Sequence, residues 1–329
     1  MKLSRRAVVV GASLAPFAAS TKGSAQTSSQ GWPSGTIRLV VVYPPGGSTD
    51  AMMRMIQPAL QQRLGATVII ENRAGASGSV GTASVAKSAP DGNTWLVVFD
   101  NHAANPFVLP PLPYDTEKDF DPTLLIGTAP YLLSTAVTKP YKTVADLISA
   151  AKEKPGAVSY ASVGSGSVGH LAMALFGQRA GVQLTHVPYR GGGPAMNDAV
   201  AAHVDLLVGS TALSMPQVNG GKLRAIAQTG KDRSPTLPNV PTVAESGFPG
   251  FEAYAWWGLY APAGTPKPII ERMSSEMAAC FRDERISKQL VETQQVSLLL
   301  AGPDEQRKFL ANQMKVWGDV VRAHNIKAD

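Results

Sequence analysis

Short β-rich runs alternate with stretches of helical spacing along most of the chain. Ile37 to Tyr43 is almost continuously apolar, as a buried strand is, and stops at Pro44-Pro45-Gly46-Gly47. Ala51 to Leu64 then places Met52, Met55, Ile56 and Leu60 on one helical face. A strand over Thr67 to Glu71, a glycine-rich turn, a helix over Gly81 to Ser88 and a strand over Thr94 to Phe99 follow. A second unit repeats the order. Its strands are Tyr131 to Val137, Val158 to Val163, Leu184 to Val187, Asp205 to Val208 and Leu223 to Gln228. Its helices are Val144 to Glu153, His170 to Ala180 and Ala195 to Ala202. Ser234 to Pro249 carries too much proline for regular structure, and the last part is expected to be helical over Pro266 to Arg282, Asp283 to Glu292 and Pro303 to His324.

This alternation predicts an α/β protein of two units, each with a mainly parallel sheet flanked by helices. No flexible linker separates the units, so the chain is expected to cross between them within strands, and the cleft between them is the natural binding place. Crossings are expected near Asn101 and over Leu223 to Gln228. The single cysteine, Cys280, cannot form an internal disulfide and lies in an apolar helical stretch, where a buried packing role is expected.

The first residues bear on location. Lys2, Arg5 and Arg6 precede an uncharged stretch from Ala7 to Ala19, and Gly23-Ser24-Ala25 offers the small residues of a cleavage site. That is the order of a secretory signal over residues 1–25, with a partial resemblance to twin-arginine signals at Ser4-Arg5-Arg6. Export to the periplasm follows. Removing Lys2, Arg5, Arg6 and Lys22 takes the formal charge from +6 to about +2, so the basic isoelectric point gives no support to nucleic-acid binding.

Candidate chemistry gathers where strands end. Gly46-Gly47-Ser48-Thr49-Asp50, Gly75-Ala76-Ser77-Gly78-Ser79, Gly164-Ser165-Gly166-Ser167 and Gly191-Gly192-Gly193 each open a helix. Such turns expose backbone N–H groups at the positive end of a helix, while Ser and Thr add hydroxyl donors. Neutral donors suit a carboxylate better than a polyphosphate. Gly164 to Gly169 also spells G-x-G-x-x-G, but the next strand ends in Val187-Pro188-Tyr189-Arg190, without the acid a dinucleotide site wants. The five histidines are scattered, so neither a metal nor another cofactor is expected. His170 is read as a capping or packing residue, with ligand contact as the alternative. Tyr254, Trp256, Trp257 and Tyr260 are read as core at the junction of the units, with lining of the cleft as the alternative.

Val42 to Asp50, Glu71 to Gly78, Tyr160 to Ser162 with Gly164 to Ser167, Val187 to Met196 and Gly258 to Pro266 recur in this order in one family. The mature chain resembles the substrate-binding proteins of tripartite tricarboxylate transporters, the Bug or TctC family. The resemblance implies a type II periplasmic-binding-protein fold whose two lobes close on a small carboxylate, without catalysis. It implies lobes of 26–101 with 226–329 and of 102–225, a monomer, and docking on the transporter's membrane subunits. It carries ligand contacts to Tyr43, Gly46, Gly47, Ser48 and Thr49 and to Ser165, Gly166 and Ser167, with Ser77 and Gly78 nearby and Asn101, Ser210 and Thr211 as weaker transfers. Gly209 departs from the pattern, since many members have an acid there; this favours a ligand without an ammonium group. A sensory adaptor serving a membrane kinase, and more distantly a secreted NAD(P)-dependent oxidoreductase, are the alternatives.

Overall fold

The structure is a computed structural model, and it describes residues 31–293, 295–324 and 326; the expected signal lies outside them. Its elements run β1 (Ile37–Val41), α1 (Ser48–Leu64), β2 (Val68–Asn72), α2 (Ser79–Ala86), β3 (Thr94–Phe99), α3 (Asn101–Val108), β4 (Phe120–Ala136), α4 (Val144–Glu153) and β5 (Ser159–Ser162). There follow α5 (Val168–Ala180), β6 (Thr185–Pro188), α6 (Gly192–Val200), β7 (Leu206–Ser210), α7 (Thr211–Asn219), β8 (Leu223–Gln228) and β9 (Tyr254–Pro262). The chain ends with α8 (Lys267–Phe281), α9 (Glu284–Lys288), β10 (Ser297–Ala301) and α10 (Pro303–His324).

The strands form two parallel groups joined by antiparallel strands. On one side β2, β1 and β3 are parallel neighbours; on the other, β7, β5 and β6. Between them lie β9 and β4, antiparallel to each other and to the strands they meet. Each half thus has the parallel strands expected of it, with the antiparallel pairings gathered at the centre on β4 and β9. Strand β4 sets this layout. Its residues Phe120 to Pro130 pair with β9, and Tyr131 to Ala136 pair with β7 and β8. The chain therefore passes from one half to the other inside β4, at Pro130–Tyr131. Asn101, where the sequence placed a crossing, instead opens α3, which packs against α10 and β3.

Burial explains most elements. In α1, Met52, Met53, Ile56, Leu60 and Leu64 face inward, and Gly65 closes the helix in a left-handed conformation with its N–H on Gln61 O. In β9, Trp256, Trp257, Leu259 and Tyr260 are all buried because helices cover both faces of the sheet. Trp256, Trp257 and Tyr260 of the aromatic cluster are therefore core, while Tyr254 is half-buried. Trp257 packs on Phe99 with ring centroids 5.4 Å apart, and Trp256 meets Phe309 of α10 edge-on. Cys280 is buried as expected, and burial pushes its thiol up to about 11, so it stays protonated.

A buried carboxylate ties the halves together. Asp100, at the end of β3, is fully buried; it accepts a hydrogen bond from Tyr131 Oη at the crossing in β4 and, through Oδ1, from Val168 N at the start of α5 (3.3 Å). Burial outweighs these hydrogen bonds and raises its pKa to about 7 from an ordinary 3.8. Between these values the folded chain holds a proton that the unfolded chain has released. This contribution to stability is complete below 3.8 and is lost as pH rises through 7. Buried His102 and half-buried His186, each lowered to about 3 chiefly by burial, act in the opposite sense below 6.5. The comparison that isolates Asp100 is therefore between variants. From about pH 5 to about pH 8, the melting temperature of the wild type should fall relative to that of Asp100→Asn. Parallel curves by scanning calorimetry would contradict the assignment.

Candidate functional site

Four loops meet where the halves face each other, each leaving the C-terminal end of a parallel strand: β1 to α1, β2 to α2, β5 to α5 and β6 to α6. They touch. A Cβ placed on Gly47 would lie 3.8 Å from Gly192 N, one on Gly193 3.2 Å from Pro45 O, and one on Gly164 3.2 Å from Ser77 Oγ. Gly191 shows why glycine is needed: its φ is +132°, and an added Cβ would lie 2.8 Å from Pro44 Cδ.

The loops differ in what their helix N-termini have left to offer. Gly47, Gly78 and Gly191 precede α1, α2 and α6 without any side-chain cap. In α1 and α6 the first-turn N–H groups, Gly192 and Gly193 in α6, lack both intrahelical and capping partners, whereas in α2 Ser79 N donates to Ala76 O and Val80 N to Gly75 O (3.4 Å). By contrast, Ser167 caps α5 by accepting from His170 N, and Ser210 caps α7 by accepting from Leu213 N. The β5–α5 loop is therefore already satisfied at its helix N-terminus, a difference invisible in its glycine and serine content.

Two neighbouring cavities share Tyr43 and Val163 in their walls. The larger, about 300 Å³, is lined by Tyr43, Ser77 and Gly78 from one half and by Gly164, Ser165 and Arg190 from the other, among further residues. No acidic side chain lines it. The smaller, about 20 Å³, lies among the starts of α1, α6 and α7, against Gly47, Ser48, Thr49, Gly192 and Ser210. It has room for about one water molecule, so the walls must shift for a carboxylate to reach those N–H groups.

A chain of hydrogen bonds joins the two halves in the wall of the larger cavity. Tyr43 Oη donates to Asn101 Oδ1, and Asn101 Nδ2 donates to Ser77 O, as does Asn105 Nδ2 at 3.0 Å. Ser77 Oγ then donates to Ser165 O in the opposite half at 2.6 Å. Ser77 adopts a left-handed conformation, φ 51° and ψ 37°, that a non-glycine residue rarely takes. The bonds to its carbonyl and hydroxyl hold it there. Burial, followed by the nearby Asp100 carboxyl, pushes the Tyr43 phenol well above its usual range, so it remains a donor.

Among the residues singled out from the sequence, Tyr43, Gly47, Ser48, Thr49, Ser77, Gly78, Ser165 and Ser210 line one or both cavities. Gly46, Asn101, Gly166, Ser167 and Thr211 line neither. Gly46 N donates to Asp50, Gly166 N to His170, and Asn101 is buried behind Tyr43. The sequence reading passed over Leu109, Val163, Pro188, Tyr189 and Arg190 as lining residues, although the last three sit in the recurring Val187 to Met196 segment. Gly209 is also tightly enclosed: a Cβ there would lie 2.8 Å from Ser214 Oγ.

The G-x-G-x-x-G segment does follow β5 and open α5. Its helix N-terminus is already taken: Ser167 caps it, and Asp100 accepts the Val168 N–H. A pyrophosphate would meet a carboxyl group where a dinucleotide fold offers free N–H groups.

Residues 52–326 match the family model of the tripartite tricarboxylate transporter family receptor. Protein BugT of Bordetella pertussis is 35% identical over 332 residues, covering 99% of each chain. The structure of the periplasmic binding protein BugD superposes with a TM-score of 0.86 at 30% identity, over 91% of this chain and 100% of that one. Rpa4515 of R. palustris, solved with adipate, gives a TM-score of 0.86 at 33% identity, over 90% and 99%. The fold is that of a periplasmic binding protein. The chain belongs to the tripartite tricarboxylate transporter receptor family.

The first loop depends on Asp50. This buried carboxylate accepts from Gly46 N, Asn72 Nδ2 and Arg54 Nε, each at 3.0 Å, and Asn72 Nδ2 also reaches Tyr43 O at 3.0 Å. Burial opposes its ionisation, but the bonds from Arg54, Gly46 and Asn72 outweigh it and hold its pKa below the usual range. Asp50→Ala leaves these donors without their acceptor. Urea denaturation should show a loss of about 2 kcal/mol, the scale of hydrogen bonds to a charged group; an unchanged midpoint would contradict the role.

Proposed function

We propose that the protein is a periplasmic receptor that captures a small carboxylate between its two halves, leaves it chemically unchanged and delivers it to the membrane subunits of a tripartite transporter. The observation that carries this reading is the convergence of uncapped helix N-termini from both halves on one site. Their N–H groups, aided by the hydroxyls of Ser48, Thr49 and Ser165, supply partial positive charge without a fixed cation deep in the cleft. A carboxylate needs several such donors to leave water. A ligand held from only one half would lose part of them, so binding energy favours the closed arrangement.

The lobes that move in this account are 31–130 with 254–326, and 131–253, hinged at Pro130–Tyr131 and in the return after β8. Adipate bound to Rpa4515, a relative of similar size and fold, supports a dicarboxylate of about that length, and the larger cavity has the volume for it. The absence of an acid at Gly209 supports a ligand without an ammonium group.

The test pairs acids with neutral amides. In a thermal-shift screen of adipate, malate, citrate and adipamide, a bound acid at about 100 times its dissociation constant adds about 2.7 kcal/mol of apparent stability. At least one acid should do so and adipamide should not. Gly47→Val, whose side chain intrudes between Gly47 and Gly192, should weaken acid binding by about tenfold or more in calorimetry while the protein stays folded. Stabilisation by the amide as strong as by the acids, or wild-type affinity in the Gly47 variant, would overturn the reading.

A further inference from the structure

Two histidines that line none of the cavities described above are stacked behind the Val163–Ser167 loop. His170 lies in the first turn of α5 and His186 on β6; their ring centroids are 3.8 Å apart with planes 4° from parallel. Tyr160 of β5 stacks on His186 at 5.0 Å. Both rings are hydrogen-bonded toward the loop. Gly166 N donates to His170 Nδ1 at 3.1 Å, which requires that nitrogen to be an unprotonated acceptor. Ser162 Oγ lies 2.7 Å from His186 Nε2. The same hydroxyl accepts from Gly164 N at 3.3 Å and donates to Gly164 O at 3.0 Å.

The stack therefore holds the loop at two places, Gly166 directly and Gly164 through Ser162. Both glycines have positive φ, +77° and +148°, in a segment with little conformational preference of its own. Between them stands Ser165, which lines the larger cavity and gives its carbonyl to Ser77 of the other half. An unsupported Gly-Ser-Gly segment would have to be ordered by the ligand, at a cost in affinity.

We propose that His170 and His186 are positioning residues that clamp Gly164 and Gly166, so that Ser165 is presented to the ligand cavity and to Ser77 across the cleft. The proposal rests on the receptor reading above. It accounts for two histidines placed where neither catalysis nor a metal gives them a use; among the described residues no cluster of histidine, cysteine and acid suits a metal ion.

The test compares His170→Asn, whose amide oxygen can replace Nδ1 as acceptor, with His170→Leu, which keeps bulk without an acceptor. Adipate affinity is measured by calorimetry, and the Gly166 amide by ¹⁵N-resolved NMR and hydrogen exchange. Loss of the bond should weaken adipate binding by about tenfold in His170→Leu, with His170→Asn within about threefold of wild type. The Gly166 amide should shift and exchange faster in the leucine variant only. His186→Gln against His186→Leu applies the same contrast at Gly164. Wild-type adipate affinity in His170→Leu would overturn the proposal, as would equal weakness of both variants in folded protein. Should the wild type bind no adipate, the receptor reading for that acid fails. The clamp is then decided by the Gly166 amide alone, and an unchanged resonance in His170→Leu overturns it.

Discussion

The structure is governed by the need to bring glycine turns from two halves into contact without capping the helices behind them. Pro44 to Gly47 lies against Gly191 to Gly193 at a separation no side chain would allow at Gly191. The first turns of α1 and α6 keep N–H groups with neither helical nor side-chain partners. Left to water, such groups are merely solvated. Enclosed between two lobes, they become costly unless an anion meets them, and in the proposed function this is what couples closure to capture. Where the site must not change, the fold does the reverse: α5 and α7 are capped by Ser167 and Ser210, and Asp100 holds α5 to β3 and β4 from within the core.

A neutral donor set has a further consequence. A buried Lys or Arg at the base of the cleft would hold an acid strongly but would need a counter-charge in the empty receptor. Backbone dipoles need none, so the same site tolerates being empty and being filled. Arg190, exposed at the edge of the larger cavity, adds a cation where solvent still screens it.

What the sequence revealed depended on how local the signal was. Glycine and hydroxyl residues following an apolar run mark a strand end and a helix start within a few positions, so all four loops were legible. Strand β9 was not, because burial on both faces removes the alternation by which a strand is recognised, leaving only an aromatic cluster. Pro122 and Pro130 disguised the first part of β4, and Pro106 and Pro216 sit inside α3 and α7, to which the pattern assigned no element. The site was blurred for a related reason. Asn101, Gly166 and Ser167 have the chemistry of ligand-binding groups, but Asn101 supports Tyr43, Gly166 is bonded to His170, and Ser167 caps its own helix. Those pairings span distances in sequence or depend on rotamers that no local pattern encodes.

The most direct test of the account is a crystal structure of the protein grown with the acid that stabilises it most. One carboxylate should accept hydrogen bonds from N–H groups in the first turn of α1 and from the Ser165 region of the opposite half, with the lobes closed around it. A carboxylate bound only through side chains of one lobe, or seated away from the meeting of these loops, would contradict it.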